Sequence, residues 1–202
     1  MNLIKLIREL KSRGIKDNIL KVIKEVDRKD FVLDEYKSQA YENIPLYLDK
    51  DSTISQPFTV AFMLQNLELK PGLKVLEIGA GSGWNAALIS KLVKNGKIFT
   101  IDINHDLIEK AKEKLKDYKN IKIILGNGVN GYKKEAPYDR IVQTASSKSP
   151  EEALLSQLKL NGIYLAPIGP EHSQKLIKIR KTAKGFNYQT LGDFIFVPIK
   201  NY

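Results

Sequence analysis

The stretch VLEIGAGSG, residues 75–83, decides how the rest of the chain is read. A short aliphatic run ends on three glycines separated by single small residues, and WNAALISKLV (84–93) follows with apolar residues at helical spacing. That pattern describes a buried strand turning sharply into a helix. Gly79, Gly81 and Gly83 free the backbone to turn tightly and to lie close against a ligand, and a strand before and a helix after make the loop more than a spacing match.

The same rhythm extends outward. KIFTID (97–102), IKIIL (121–125), DRIVQT (139–144) and GIYLAPI (162–168) are short apolar runs rich in β-branched residues, and helical patterns separate the first three strands. Strands alternating with helices imply right-handed crossovers and an α/β fold, its mostly parallel sheet covered by helices on both faces. QKLIKIRKTAKGFNY and DFIFVPI follow one another with no helix between, which predicts antiparallel pairing at one edge. Upstream, residues 2–11 place Leu3, Ile4, Ile7 and Leu10 on one face, and residues 17–26 do the same with Ile19, Leu20, Ile23 and Val26. Arg13-Gly14 separates these two amphipathic helices. Residues 31–55 read as an ordered loop or short strands, and Pro57 opens a helix carrying Val60, Ala61, Leu64 and Leu67. The expectation is a single domain over 1–202, with 1–55 an N-terminal helical and loop extension contributing to the site, and 56–202 the core.

Composition narrows the chemistry. There is no cysteine, so disulfides, thiolate nucleophiles and cysteine-based metal sites are excluded. The only histidines, His105 and His172, belong to no zinc spacing, and no metal site is expected. The net charge of +10 comes largely from lysines spread along the whole chain, which reads as a solvated surface rather than a nucleic-acid interface. No apolar run is long enough to cross a membrane. The N-terminus lacks a signal-peptide pattern, so the expected location is cytoplasmic. A monomer is expected.

Two acidic residues qualify the glycine loop. Glu77 lies inside the motif, where it would repel a pyrophosphate at the helix N-terminus but suit a ligand with a cationic amino-acid end. Asp102 ends the second strand of the core, 19 residues after Gly83, where a carboxylate can accept from both hydroxyls of a ribose. The alternative role for Asp102, capping the next helix, falls better to Asn104. After the third strand, LGNGVNG puts Asn127 and Gly128 at the carboxyl edge of the sheet, although Asn-Gly is also a common turn signal. Finally, DSTISQPFT (51–59) brings four hydroxyls next to this loop, in a chain poor in catalytic side chains.

AYENIPL, STISQP, LEIGAGSG, GNGVNG, APYDRIV and FVPI, in that order across nearly the whole chain, resemble the protein-L-isoaspartate O-methyltransferases. LEIGAGSG alone would indicate only some class I methyltransferase, whereas STISQP is far more specific. The resemblance implies a Rossmann-like fold with a seven-stranded sheet, S-adenosyl-L-methionine as donor and S-adenosyl-L-homocysteine as product. It also implies damaged proteins with L-isoaspartyl residues as acceptors. It places Thr53, Ile54 and Ser55 at the methyl-transfer site, with Ser55 as catalytic residue, and sets Thr53, Ile54 and Ser55 together with Glu77, Gly79, Gly81, Asp102, Asn127 and Gly128 around the cofactor. Three positions depart from the family pattern: Asn127 stands where aspartate is usual, QTASS (143–147) where small apolar residues are common, and Trp84 where tyrosine is common. Two other readings compete: a tRNA or other nucleic-acid methyltransferase of related fold, favoured by the charge, and an S-adenosylmethionine-binding module without turnover. The first lacks an Asn/Asp-Pro-Pro-Tyr element after the fourth strand, and the second sits poorly with Ser55, Glu77 and Asp102 in place.

Overall fold

In the computed structural model, which describes residues 1–200, the chain opens with helices α1 (Leu3–Ser12) and α2 (Asp17–Glu25). After two 3-10 turns come a small hairpin, β1 (Leu46–Tyr47) and β2 (Thr53–Ile54), and helix α3 (Pro57–Asn66). The alternating part follows as β3 (Lys74–Ile78), α4 (Trp84–Val93), β4 (Lys97–Asp102), α5 (His105–Leu115), β5 (Ile121–Leu125), β6 (Tyr138–Gln143), α6 (Glu152–Ser156) and β7 (Leu158–Ile168). Strands β8 (Gln174–Thr182) and β9 (Gly185–Phe194) close the sheet.

Seven strands form one sheet in the order β5-β4-β3-β6-β7-β8-β9. The first five run parallel and the last two pair antiparallel, as the absence of a helix between them predicted. Chain order reverses between β3 and β6, so the crevice beyond their carboxyl ends is the topological switch point, where ligands of open α/β sheets bind.

Strand alternation divides the core cleanly. Val75, Ile98, Val142 and Leu165 face a layer built from α1 to α5, whereas Leu76, Ile78, Phe99, Ile101, Ile141 and Tyr164 face α6 and its neighbours. The second layer is thinner. Between β5 and β6 the sequence GNGVNGYKKEAP has too many breakers for a helix and forms two 3-10 turns instead.

Two expectations need correction. Ile4 is 64% exposed, and the buried stripe of α1 runs through Leu6, Ile7 and Leu10, which sit at i, i+1 and i+4. Leu3 continues the stripe backwards as a partly buried neighbour, and Ile4 lies a hundred degrees round the helix from it. The apolar FVPI is not the last strand. That strand is the polar, largely exposed β9, while residues 195–199 leave the sheet and return across it. Ser146 anchors this strap: its N–H donates to the Val197 carbonyl at 2.8 Å and its carbonyl accepts from the Ile199 N–H at 2.8 Å. The unusual QTASS segment is therefore the clip that holds the chain's closing segment.

Candidate active site

A cavity of about 430 Å³ lies at the switch point, a size suited to a small-molecule ligand. Its floor is the carboxyl ends of β3 and β4 with Gly79, Gly81 and Asp102. Its walls carry Thr53, Ile54 and Ser55 together with Glu171, His172 and the strap from Ile195 to Lys200, and Lys200 bonds Asp51 at 2.9 Å. Seven of the sequence-predicted residues thus meet in one place: Thr53, Ile54, Ser55, Gly79, Gly81, Asp102 and Gly128. Glu77 and Asn127 are not among the lining residues.

The glycine loop is shaped by its neighbours as well as by its own freedom. Gly79 has φ +94°, and the Thr144 hydroxyl occupies the space a Cβ would need, so both backbone and packing demand glycine. That hydroxyl bonds the carbonyls of Ile78 and Gly79 at 3.0 and 2.9 Å, tying the loop to the end of β6. Asp102 braces the next turn: its carboxylate accepts from the Gly81 N–H at 2.9 Å and from the Asn104 N–H at 3.0 Å. Asn104, not Asp102, caps α5, accepting from the N–H groups of Asp106 and Leu107. Each Asp102 oxygen keeps further acceptor capacity on a residue that lines the cavity, as a ribose diol requires.

Glu77 lies completely buried beneath the loop, on the sheet face under α4. It accepts from the Asn85 amide at 2.7 Å and from the Thr100 hydroxyl at 2.5 Å, and Asn85 itself lines the cavity. Burial pushes its carboxyl up to about 7, opposed by these two hydrogen bonds and helped by the negative charge of Asp102. The native carboxyl therefore keeps its proton up to about 7, while the unfolded chain releases it near 4.5, so native stability falls as pH rises between the two. Glu77→Gln, which cannot titrate, is expected to gain about 2 to 3 kcal/mol relative to wild type between pH 5 and 8. Denaturant melts at the two pH values check this, and a difference independent of pH would contradict it.

Asn127 spends its side-chain oxygen on the Val129 N–H at 3.0 Å, holding the turn that presents Gly128 to the cavity. Trp84 is buried at the start of α4, where its indole N–H donates to the Val26 carbonyl at 3.1 Å. Ser55 is not a helix cap: α3 has Gln56 at its N-cap position without a side-chain bond, and the Phe58 N–H is taken by Asn43 instead. Among the described residues, no hydrogen bond engages the Ser55 hydroxyl.

Sequence reasoning missed two polar side chains that shape this cavity. Gln174 is completely buried: its amide donates to the carbonyls of Pro170 and Glu171, and its oxygen accepts from the Phe196 N–H at 2.8 Å. It thereby joins the loop bearing Glu171 and His172 to the strap, and residues of both line the cavity. Arg28, 1% exposed, was hidden among the surface lysines, although arginine is scarce in this chain.

Comparison with known proteins agrees with this geometry. The family model for protein-L-isoaspartate(D-aspartate) O-methyltransferase matches residues 1–202. The protein-L-isoaspartate O-methyltransferase of Ignicoccus hospitalis is 41% identical over 200 residues, covering 96% of this chain and 95% of that protein. A solved protein-L-isoaspartate O-methyltransferase superposes with a TM-score of 0.91 at 30% identity, covering 99% of this chain and 66% of the other. A Plasmodium falciparum structure, described as a protein-L-isoaspartate O-methyltransferase in complex with S-adenosyl-L-homocysteine, superposes with a TM-score of 0.88 at 28% identity, covering 99% of both. With a floor fit for a nucleoside, a hydroxyl-bearing wall beside it and relatives along its whole length, the chain belongs to the protein-L-isoaspartate(D-aspartate) O-methyltransferase family.

Proposed function

We propose that this cavity positions an isoaspartyl α-carboxylate at Ser55 for methylation, beginning the repair of damaged proteins. The observation that carries the reading is an unengaged Ser55 hydroxyl in the same cavity as the Asp102 carboxylate and the glycine loop. S-adenosylmethionine, when bound, supplies a methyl group on a sulfonium. Gly79, Gly81 and Gly128 would leave room for its nucleoside, Asp102 would accept from its ribose, and Asn85, bonded to Glu77, would hold its cationic amino-acid end.

The residues around Ser55 then orient rather than activate. A carboxylate with an ordinary pKa of about 4 is already ionised at pH 7, so no base has to take a proton from it. This accounts for a site without cysteine. Ser55 offers a neutral hydrogen bond that aligns the anion, where a lysine would hold it more tightly and blunt its nucleophilicity. Correct alignment of the reacting groups is worth about 7 to 11 kcal/mol in favourable systems. The β-carboxylate of D-aspartyl residues is a second acceptor of the same chemistry. The resulting ester closes to a succinimide without further help from the protein, as the following backbone nitrogen attacks the ester carbonyl and methanol leaves.

Incubation with methyl-labelled S-adenosylmethionine and matched isoaspartyl, D-aspartyl and normal aspartyl peptides, or tRNA, tests the reading. Label as base-labile ester on the isoaspartyl peptide is expected. Label in tRNA alone would overturn it.

The loop and strap joined by Gln174 carry a separate prediction. Gln174→Leu removes the bridge between loop and strap, and the KM for an isoaspartyl peptide is expected to rise about tenfold with kcat and S-adenosylhomocysteine affinity nearly unchanged. Steady-state kinetics against peptide concentration measure it, and an unaltered KM would show that the bridge does not shape the acceptor side.

A further inference from the structure

Arg28 carries a guanidinium with no acidic partner among the described residues, and its hydrogen-bond acceptors are all main-chain carbonyls. One terminal nitrogen donates to the carbonyls of Ala40 at 2.9 Å and Glu42 at 3.3 Å. The other donates to Ile44 at 3.0 Å, Ile54 at 3.4 Å and Ser55 at 3.1 Å. Among the described residues its Nε has no hydrogen-bond partner, and the guanidinium lies 5.6 Å from the ring centroid of Trp84. Burying a cation in this way is costly unless its donors are used, and burial pushes its pKa down to about 10. A residue needed only for filling that space would be apolar.

What the fork gathers is informative. The five carbonyls belong to the segment from Ala40 to Ser55, including the residues just before and at the proposed catalytic hydroxyl. The other face of the arrangement belongs to the cofactor side. Trp84 follows Gly83 directly, and its indole holds the Val26 carbonyl, two residues before Arg28. A two-link chain thus runs from the glycine loop through Trp84 and the turn at 26–28 to Ser55.

We propose that Arg28 is a positioning residue, fixing the Ser55 loop at a set distance and orientation from the glycine loop. It touches neither donor nor acceptor and acts only through the main chain it gathers. The proposal rests on the methyl-transfer reading above. Lysine cannot substitute, because a single ammonium with three donors lacks the planar fork that reaches carbonyls on several sides.

In Arg28→Lys, kcat for an isoaspartyl peptide is expected to fall about 100-fold, the scale of a misplacement of about 1 Å, with S-adenosylhomocysteine affinity within about threefold of wild type. Amide hydrogen exchange in residues 43–55 is expected to speed up, with that of β3 and β4 unchanged. In Arg28→Ala, millimolar methylguanidinium is expected to restore part of the lost turnover. Exchange is read without activity, so an inactive wild-type protein would refute the methyl-transfer reading while leaving the loop measurement decisive. The proposal is overturned by a folded Arg28→Lys with wild-type turnover, by parallel loss of turnover and cofactor affinity, or by unaltered exchange in 43–55. Failure of both variants to fold with S-adenosylhomocysteine present would assign Arg28 to the fold as a whole and would equally overturn it.

Discussion

Ser55→Ala lowers kcat for an isoaspartyl peptide by about one to three orders of magnitude, while S-adenosylhomocysteine affinity and thermal stability stay close to wild type. The separation follows from the structure. The hydroxyl caps no helix and has no hydrogen-bond partner among the described residues, so its loss leaves no native group unsatisfied. The Ser55 carbonyl is engaged in the fold by Arg28, and alanine retains it. The cost therefore falls on alignment of the acceptor. Turnover at saturating peptide, together with calorimetric titration of S-adenosylhomocysteine, distinguishes the outcomes, and an equal loss in both would move Ser55 to a structural role.

Asp102→Asn acts on the other substrate. The carboxylate accepts from the N–H groups of Gly81 and Asn104 with separate oxygens, and an amide must present its NH2 to one of those donors. The substitution thus loosens the turn that shapes the cavity floor and removes the charged acceptor proposed for the ribose hydroxyls. Hydrogen bonds to a charged group contribute about 1.5 to 3 kcal/mol each, so S-adenosylhomocysteine binding is expected to weaken about 100-fold or more. Turnover at saturating S-adenosylmethionine should fall far less. A dissociation constant equal to wild type would remove Asp102 from the cofactor site.

Much of this was readable from the sequence because the decisive elements are buried and regular. Strands β4 and β5 and helix α4 fall where KIFTID, IKIIL and WNAALISKLV placed them, since apolar period and flanking glycine agreed there. Strand β9 was misplaced for the opposite reason. GFNYQTLGDF is a mostly exposed edge whose side chains carry little hydrophobic pattern, while FVPI looks like a strand but packs as a strap. The roles of Arg28, Gln174 and Thr144 depend on contacts between residues far apart in the chain, which no local spacing encodes. A buried guanidinium that binds only carbonyls looks like any surface cation when read in sequence.

Glu77 shows how composition can point correctly while placement differs. Its presence in the loop argued for a ligand with a cationic end, yet the carboxylate stands one layer below the cavity, behind Asn85. Asn127 likewise supports the turn at Gly128 through the Val129 N–H.

The central claim is that catalysis here consists in docking an anion that is already reactive, with Ser55 aligning it. A crystal structure with S-adenosylhomocysteine and an isoaspartyl peptide tests this most directly. The claim predicts the sulfur facing the Ser55 hydroxyl across an open channel, with the α-carboxylate hydrogen-bonded to that hydroxyl and no basic side chain at the reacting oxygen. A sulfur turned away from Ser55 with protein between them, or a lysine or histidine in contact with the attacking oxygen, would contradict it.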